Sequence, residues 1–223
     1  MAQDGLTSFE PAYVDELAVM LRWAFEHIQR PADDKQASGG SVYLRLSTRS
    51  AAQPQRQLSA EDADCITSGA YWIRRPGPNA EVVVAYTGTV APEAVEAVGM
   101  IAEDRRDVGL LAVTSADLLH SGWTAAQRAR EDGHMGVASH VERLLSGLPR
   151  HCGLVTVIDG HPATLGWLGS VHGHRTRALG VTRFGQTGTI PDLYRAAGID
   201  AQAIAAAAAA AAPGRPVRHL RAV

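Results

Sequence analysis

Four short apolar runs separated by helical stretches dominate the second half of this chain and leave few folds open to it. EVVVAYTG (81–88), VGLLAVTS (108–115) and GLVTVID (153–159) are almost continuously hydrophobic, and TRALGV (176–181) closes the series. Between them, PEAVEAVGMIAED (92–104), residues 117–130, SHVERLLSGL (139–148) and PATLGWLGSVHG (162–173) read as helices, and the chain is helical again after 190. A strand that is apolar on both faces must be covered on both faces, and strands that alternate with helices run mostly parallel. The pattern therefore predicts an α/β fold with a mainly parallel sheet between helical layers.

The first eighty residues are thinner in elements. Val14, Leu17, Ala18, Leu21, Phe25 and Ile28 recur at three- and four-residue steps, which predicts an amphipathic helix over 12–28, with Ser8 as its cap and Pro11 in its first turn. VYLRL (42–46) alternates as a strand. Ser59 followed by Glu61 and Asp62 marks a helix start, the Gly69 region its end, and RRPGPNA (74–80) a turn. These pieces are too few for a core of their own. Near the far end, AIAAAAAAAA (203–212) favours a covering helix stopped by Pro213 and Gly214, and GRPVRHLRAV forms a basic tail.

Charge narrows the partners. Lys and Arg number 21 against 23 Asp and Glu, so the formal net charge of −2 supplies no field to draw in nucleic acid or an anionic membrane. No apolar run approaches the roughly 20 residues of a membrane helix, and MAQDGLTSFE lacks the pattern of a signal peptide, so a cytoplasmic location is expected. Cys65 and Cys152 have no metal or disulfide spacing and read as small buried hydrophobes.

Recognisable catalytic patterns are scarce. No glycine-rich dinucleotide loop follows a strand, and no triphosphate loop occurs. His172 and His174 have no carboxylate or Cys at ligand spacing nearby. Ser115 lacks the sharp glycine-flanked turn of a hydrolase nucleophile and reads as a helix cap. Asp159 and His161, at the crest where an apolar strand meets a helix, suit either an acid/base pair or a packed strand-to-helix corner.

Three stretches carry a resemblance. SFEPAYVDELAVMLRWAFEHI (8–28), VTVIDGHPATLGWLGSV (155–171) and LGVTRFGQTGTIPDLYRAAGIDAQAI (179–204) resemble the carboxy-terminal part of transketolase-like, thiamine-diphosphate enzymes, most of all the homodimeric-type pyruvate dehydrogenase E1 component. The resemblance implies a transketolase C-terminal-like three-layer α/β/α sandwich over 57–223, preceded over 1–56 by the end of a pyrimidine-binding domain. In such enzymes the cofactor lies between the two amino-terminal domains, usually across a dimer interface, and the C-terminal domain shapes the assembly. Asp159, His161, Gly166 and Gly169 would then form an interface or active-site wall, with the glycines permitting close helix approach.

Departures from the family pattern are equally informative. Mg²⁺ and the diphosphate are held in the family by a Gly-Asp-Gly and a downstream Asn, yet the only Asn here is Asn79, which precedes Asp159-Gly160. The glutamate that activates the cofactor belongs upstream of residue 8. Thiamine diphosphate and Mg²⁺ are thus expected in a complete assembly and not on this chain alone. The pyruvate-specific relatives carry M-N-E-x-Y-x-x-P where this chain reads LSTRSAAQP, which places Arg49 near the acidic position; its planar fork suits a 2-oxo acid carboxylate. The expected function is a C-terminal subunit or fragment of a 2-oxo acid dehydrogenase E1 or transketolase, an oxidoreductase part that supports dimer and active-site assembly for oxidative decarboxylation and is completed by missing or separately encoded N-terminal domains in a homo- or hetero-oligomer. The alternatives are a non-catalytic assembly module and a small-molecule enzyme built on Asp159 and His161.

Overall fold

A computed structural model describes residues 5–29, 40–183, 185 and 187–212. The chain divides into two compact units. One comprises the described residues up to Tyr71 together with Val113–Leu144; the other comprises Trp72–Ala112 and the described residues from Leu145 onward.

The first unit opens with β1 (Leu6–Phe9), α1 (Val14–Ile28) and β2 (Ser41–Leu44), a parallel strand pair joined through a helix, with Leu6 opposite Ser41 and Phe9 opposite Leu44. Strand β1 was not expected from the sequence. Pro11 biases Glu10 toward extended backbone, and the chain stays extended through Ser8, whose hydroxyl donates to Asp117 instead of capping α1. The helix starts at Val14, and the Glu16 carboxylate takes the amides of Ala12 and Tyr13 at 2.6 and 3.1 Å. Helix α2 (Ala60–Thr67) begins at Ser59 as anticipated, with the Ser59 and Asp62 side chains each accepting the other's amide.

Strand β3 (Ala70–Arg74) follows at once. It was also unread, because five residues between a helix end and a Pro/Gly turn show no period. Helices α4 (Ala116–Glu131) and α5 (His140–Leu145) complete the first unit's elements, and Ser115 caps α4 by accepting the Leu118 amide at 3.2 Å.

The five-stranded sheet runs in the order β3-β5-β4-β6-β7, with β4 (Val82–Thr87), β5 (Gly109–Val113), β6 (Gly153–Ile158) and β7 (Thr176–Leu179). Strands β4, β6 and β7 are mutually parallel, and the sheet as a whole is mostly parallel. Every residue of β4, β5 and β6 is buried, as their uninterrupted hydrophobicity requires.

Helix α3 (Ala91–Ala102) packs on α8 (Ala201–Ala211), which also lies on β6. The alanine run is therefore a covering helix: Ala205 and Ala208 are wholly buried, and Asp200 caps it through the Ala203 amide at 2.9 Å. Its expected Pro213-Gly214 stop and the basic tail lie outside the described residues. Arg105, nearly buried, binds Glu81 at 2.8 Å and the Ala212 carbonyl at 3.2 Å, which fixes the end of α8.

The expected helix over 162–173 is instead one α turn, α6 (Ala163–Gly166), followed by a 3-10 segment, Trp167–Val171; α7 (Ile190–Ala197) precedes α8. Two glycines weaken a regular helix there. Among the described residues no helix is long and apolar enough to cross a membrane.

Alanine at Gly153 tests the closeness of α8 to β6. Its Cβ would lie 2.7 Å from the Ala211 carbonyl oxygen and 2.8 Å from the Ala211 Cβ. Overpacking of this kind costs about 1–3 kcal/mol, read as a shifted urea midpoint with unchanged slope.

Candidate functional site

The crest after β6 belongs to the second unit. Asp159 is half-buried and accepts from the Tyr194 hydroxyl at 3.4 Å, while exposed His161 turns its Nδ1 to the Ala163 amide at 3.3 Å and its carbonyl to the Thr164 amide at 3.1 Å. These bonds send the two side chains to different partners. The Gly160 carbonyl accepts the Val181 amide at 2.7 Å, and a Cβ on Gly180 would come within 2.5 Å of that oxygen. At Gly169 a Cβ would sit 1.7 Å from the Thr176 hydroxyl oxygen and 2.7 Å from the His174 carbonyl, so backbone approach excludes a side chain there. Gly166 is different, since its Cβ would meet Ala178 at an ordinary 3.6 Å. The crest is a tightly folded joint between β6, the 3-10 segment and β7.

Arg49 lies in the first unit, half-buried in the irregular segment after β2, with its amide on the Ser47 hydroxyl at 3.0 Å. The same segment leads to Arg56, which anchors a buried cluster absent from the sequence reading. Arg56 forks onto Asp15 through Nε at 2.7 Å and Nη2 at 3.0 Å, and that second nitrogen also stands 3.6 Å from Glu16. Its guanidinium lies over the Tyr13 and Tyr71 rings, 5.2 and 5.4 Å from their centroids.

Glu16 is 1% exposed; its Oε1, the oxygen that faces Arg56, accepts a short hydrogen bond from the Tyr71 hydroxyl, while Oε2 takes the Ala12 and Tyr13 amides. Burial pushes the Glu16 carboxyl above its usual range, against the opposing pull of Tyr71, the Ala12 and Tyr13 amides and Arg56. Burial, then the Glu16 charge, raises the Tyr71 hydroxyl as well. For Arg56, burial favours the neutral form, but the Asp15 hydrogen bonds prevail and hold the guanidinium above its ordinary value.

A second knot lies on the same unit. Glu142 accepts the Ser139 amide and hydroxyl, both at 2.7 Å, and pairs with Arg130 at 2.8 Å. Burial works against its charge, yet the Arg130 and Ser139 bonds depress its carboxyl. His140, beside it, bonds the Ala70 carbonyl through Nε2 at 2.7 Å, and burial lowers its basicity.

None of these carboxylates offers a vacant oxygen pair to a cation. The Glu16 and Glu142 oxygens are taken by protein donors, Asp15 is forked by Arg56, and among the described residues no three His, Cys, Asp or Glu side chains converge as metal ligands. Asn79, the sole Asn, sits in a turn with its amide on Asp107 at 2.9 Å. Among the described residues, these two carboxylate clusters and Asn79 do not fit a magnesium diphosphate. In the second unit His174 is buried with Nδ1 on the Cys152 carbonyl at 3.1 Å, and burial lowers its basicity. Burial also pushes the Cys152 thiol up to about 12, which leaves it unreactive.

No family model and no curated protein matches the sequence. Solved structures do match in shape. A transketolase variant from Pichia stipitis superposes with a TM-score of 0.60 at 18% identity, over 95% of this chain and 26% of its own. The chain's fold is transketolase-like. A transketolase from Leishmania mexicana gives 0.58 at 15% identity, over 97% of this chain and 27% of its own. The inactive beta4 tetramer of a split-gene transketolase gives 0.57 at 17%, over 93% of this chain and 57% of its own. The chain thus spans about a quarter of the length of the full transketolases it matches.

Glu16 could have been noticed in the sequence. It falls between Tyr13 and Met20 on the buried stripe of α1, where a carboxylate needs partners. Its partners were not legible, because Arg56 and Tyr71 are 40 and 55 residues away. Replacing Tyr71 by Phe removes one bond from a buried carboxylate and costs about 1–3 kcal/mol by urea denaturation.

The folded state holds the Glu16 proton more tightly than the unfolded chain does. Its contribution to stability is therefore full below the ordinary carboxyl pKa of 4.5 and declines as pH rises through the raised value. In Glu16→Gln that part of the decline disappears when stability is measured from pH 4.5 upward. For the thiols, Ellman's reagent should modify half-buried Cys65 in the folded protein and reach Cys152 only on unfolding.

Proposed function

We propose that this chain is the C-terminal part of a cytoplasmic thiamine-diphosphate-dependent assembly of the transketolase and 2-oxo acid dehydrogenase E1 type, and that its turnover requires N-terminal domains carrying the diphosphate site. The observation that carries this reading is the transketolase-like fold over 95% of this chain and only 26% of the matched enzyme, in a molecule whose buried carboxylates are already committed to protein donors. In this reading residues 1–56 are the end of a pyrimidine-binding domain and 57–223 the C-terminal domain. Asp159, His161, Gly166 and Gly169 form part of an interface or wall. Oligomerisation with N-terminal domains, supplied separately or on a longer chain, fits the existence of a split-gene transketolase with the same fold.

Within this frame we assign Arg49 to the carboxylate of a 2-oxo acid, which points to oxidative decarboxylation by an E1-like enzyme. A guanidinium offers two parallel donors to a planar carboxylate. The transketolases provide the contrasting case of sugar chemistry.

Two measurements test the reading. Calorimetric titration of the chain with Mg²⁺ and thiamine diphosphate should show no binding, whereas mixing with a polypeptide that carries the diphosphate site should create binding and decarboxylation of a 2-oxo acid. Arg49→Ala in that mixture should raise KM for the acid about tenfold or more with little change for an uncharged analogue. Cofactor binding by the chain alone sinks the proposal, and a complex that forms without activity favours a non-catalytic assembly module.

A further inference from the structure

We propose that residues 50–58 form a strap over the first turn of α1 that opens and closes as one piece, with the Arg56 guanidinium as its latch. None of these residues is buried, and between described residues they make no backbone–backbone hydrogen bond. A stretch so poor in burial and backbone pairing belongs to the parts of a fold that open most readily. Two side chains fasten it. Gln53 Oε1 accepts the Val14 amide at 2.9 Å, and Arg56 forks onto Asp15 at 2.7 and 3.0 Å.

Both fastenings land on neighbouring residues of one helical turn, and Pro54 lies between Gln53 and Arg56 with its fixed φ. A link this short and stiff passes the loss of one contact on to the other. Downstream, Ser59 is held as the cap of α2, so that root of the strap stays in place when the latch is undone.

The cluster beneath keeps its bonds when the strap leaves. Buried Glu16 retains the Tyr71 hydroxyl and the Ala12 and Tyr13 amides, and Arg56 stands 3.6 Å from it, beyond hydrogen-bond range. No buried charge is stranded. The Arg56 and Asp15 side chains are 20% and 30% exposed, so water reaches both halves of the fork. Opening gives up that fork and the contact of the guanidinium with the Tyr13 and Tyr71 rings. The positive end of α1 repels the guanidinium and offsets part of the attraction. A balance of this size sets the open form at about 0.1–10% of molecules.

Opening bares the Asp15 carboxylate and the two ring faces together. For the substrate-binding role of Arg49, on which this consequence alone rests, closure of the strap fixes the backbone from which Arg49 reaches.

Limited proteolysis of the whole chain with proteinase K, with cut sites read by mass spectrometry, tests the latch. Arg56→Ala and Asp15→Asn should each speed cleavage within 50–58 about three- to thirtyfold, near Ala51 as much as near Leu58. Between 0 and about 1 M urea the rate should hardly change, since opening exposes little new surface. Ethylguanidinium chloride at about 100 mM competes for the Asp15 fork. It should speed cleavage of the native strap more than ethylammonium chloride does and leave Arg56→Ala unaffected, because only a guanidinium reproduces the planar fork. Circular dichroism checks that each variant is folded; should one fail, the native chain with ethylguanidinium decides alone.

Rates indifferent to both substitutions and to ethylguanidinium overturn the latch. Acceleration confined to 55–58 is fraying around Arg56 and overturns the strap as one piece. Cleavage that rises steeply from the lowest urea concentration runs through global unfolding and overturns the proposal equally. No 2-oxo acid or cofactor enters these measurements, so their outcome is independent of whether Arg49 binds substrate.

Discussion

Three strands that are apolar on both faces cannot be left half covered, and this requirement shapes everything around β4, β5 and β6. Each residue of those strands is withdrawn from water, so helices must lie close enough to leave no gap. The cover includes an unusually thin helix: α8 buries six residues, and five of them are alanine. Its approach is close enough that Gly153 has no room for a methyl group.

What the sequence reveals follows from the length and period of each element. The buried strands are long and uniformly hydrophobic, and β4, β5, β6 and β7 fall within a residue or two of their expected places. Strands β1 and β3 stay hidden because they have four and five residues and lie beside Pro or Gly signals that read as caps and turns. The 3-10 segment after α6 is hidden for another reason: the spacing there is helical, but Gly169 answers to the strand beneath it. Arg49 and the Asp159–His161 crest, in separate units, stand out locally in the sequence as candidate groups. The Glu16 cluster is assembled by folding from three distant positions, and no local pattern announces it.

This cluster also bears on function. A carboxylate can take up a cation or a substrate only if some of its oxygens are free for it. Here Glu16 is enclosed by two backbone amides, a tyrosine and an arginine, and it fixes the start of α1 and the segment that carries Arg49. These side chains thus hold the start of α1 and the segment after β2 together.

Arg105 gives the last turn of α8 a fixed origin. Because its guanidinium joins the Ala212 carbonyl to Glu81, the backbone at that point cannot fray as helix ends usually do. Losing that guanidinium would leave the Glu81 carboxylate and the Ala212 carbonyl to find water separately where one residue now serves both, so the last turn of α8 and the start of β4 would loosen together.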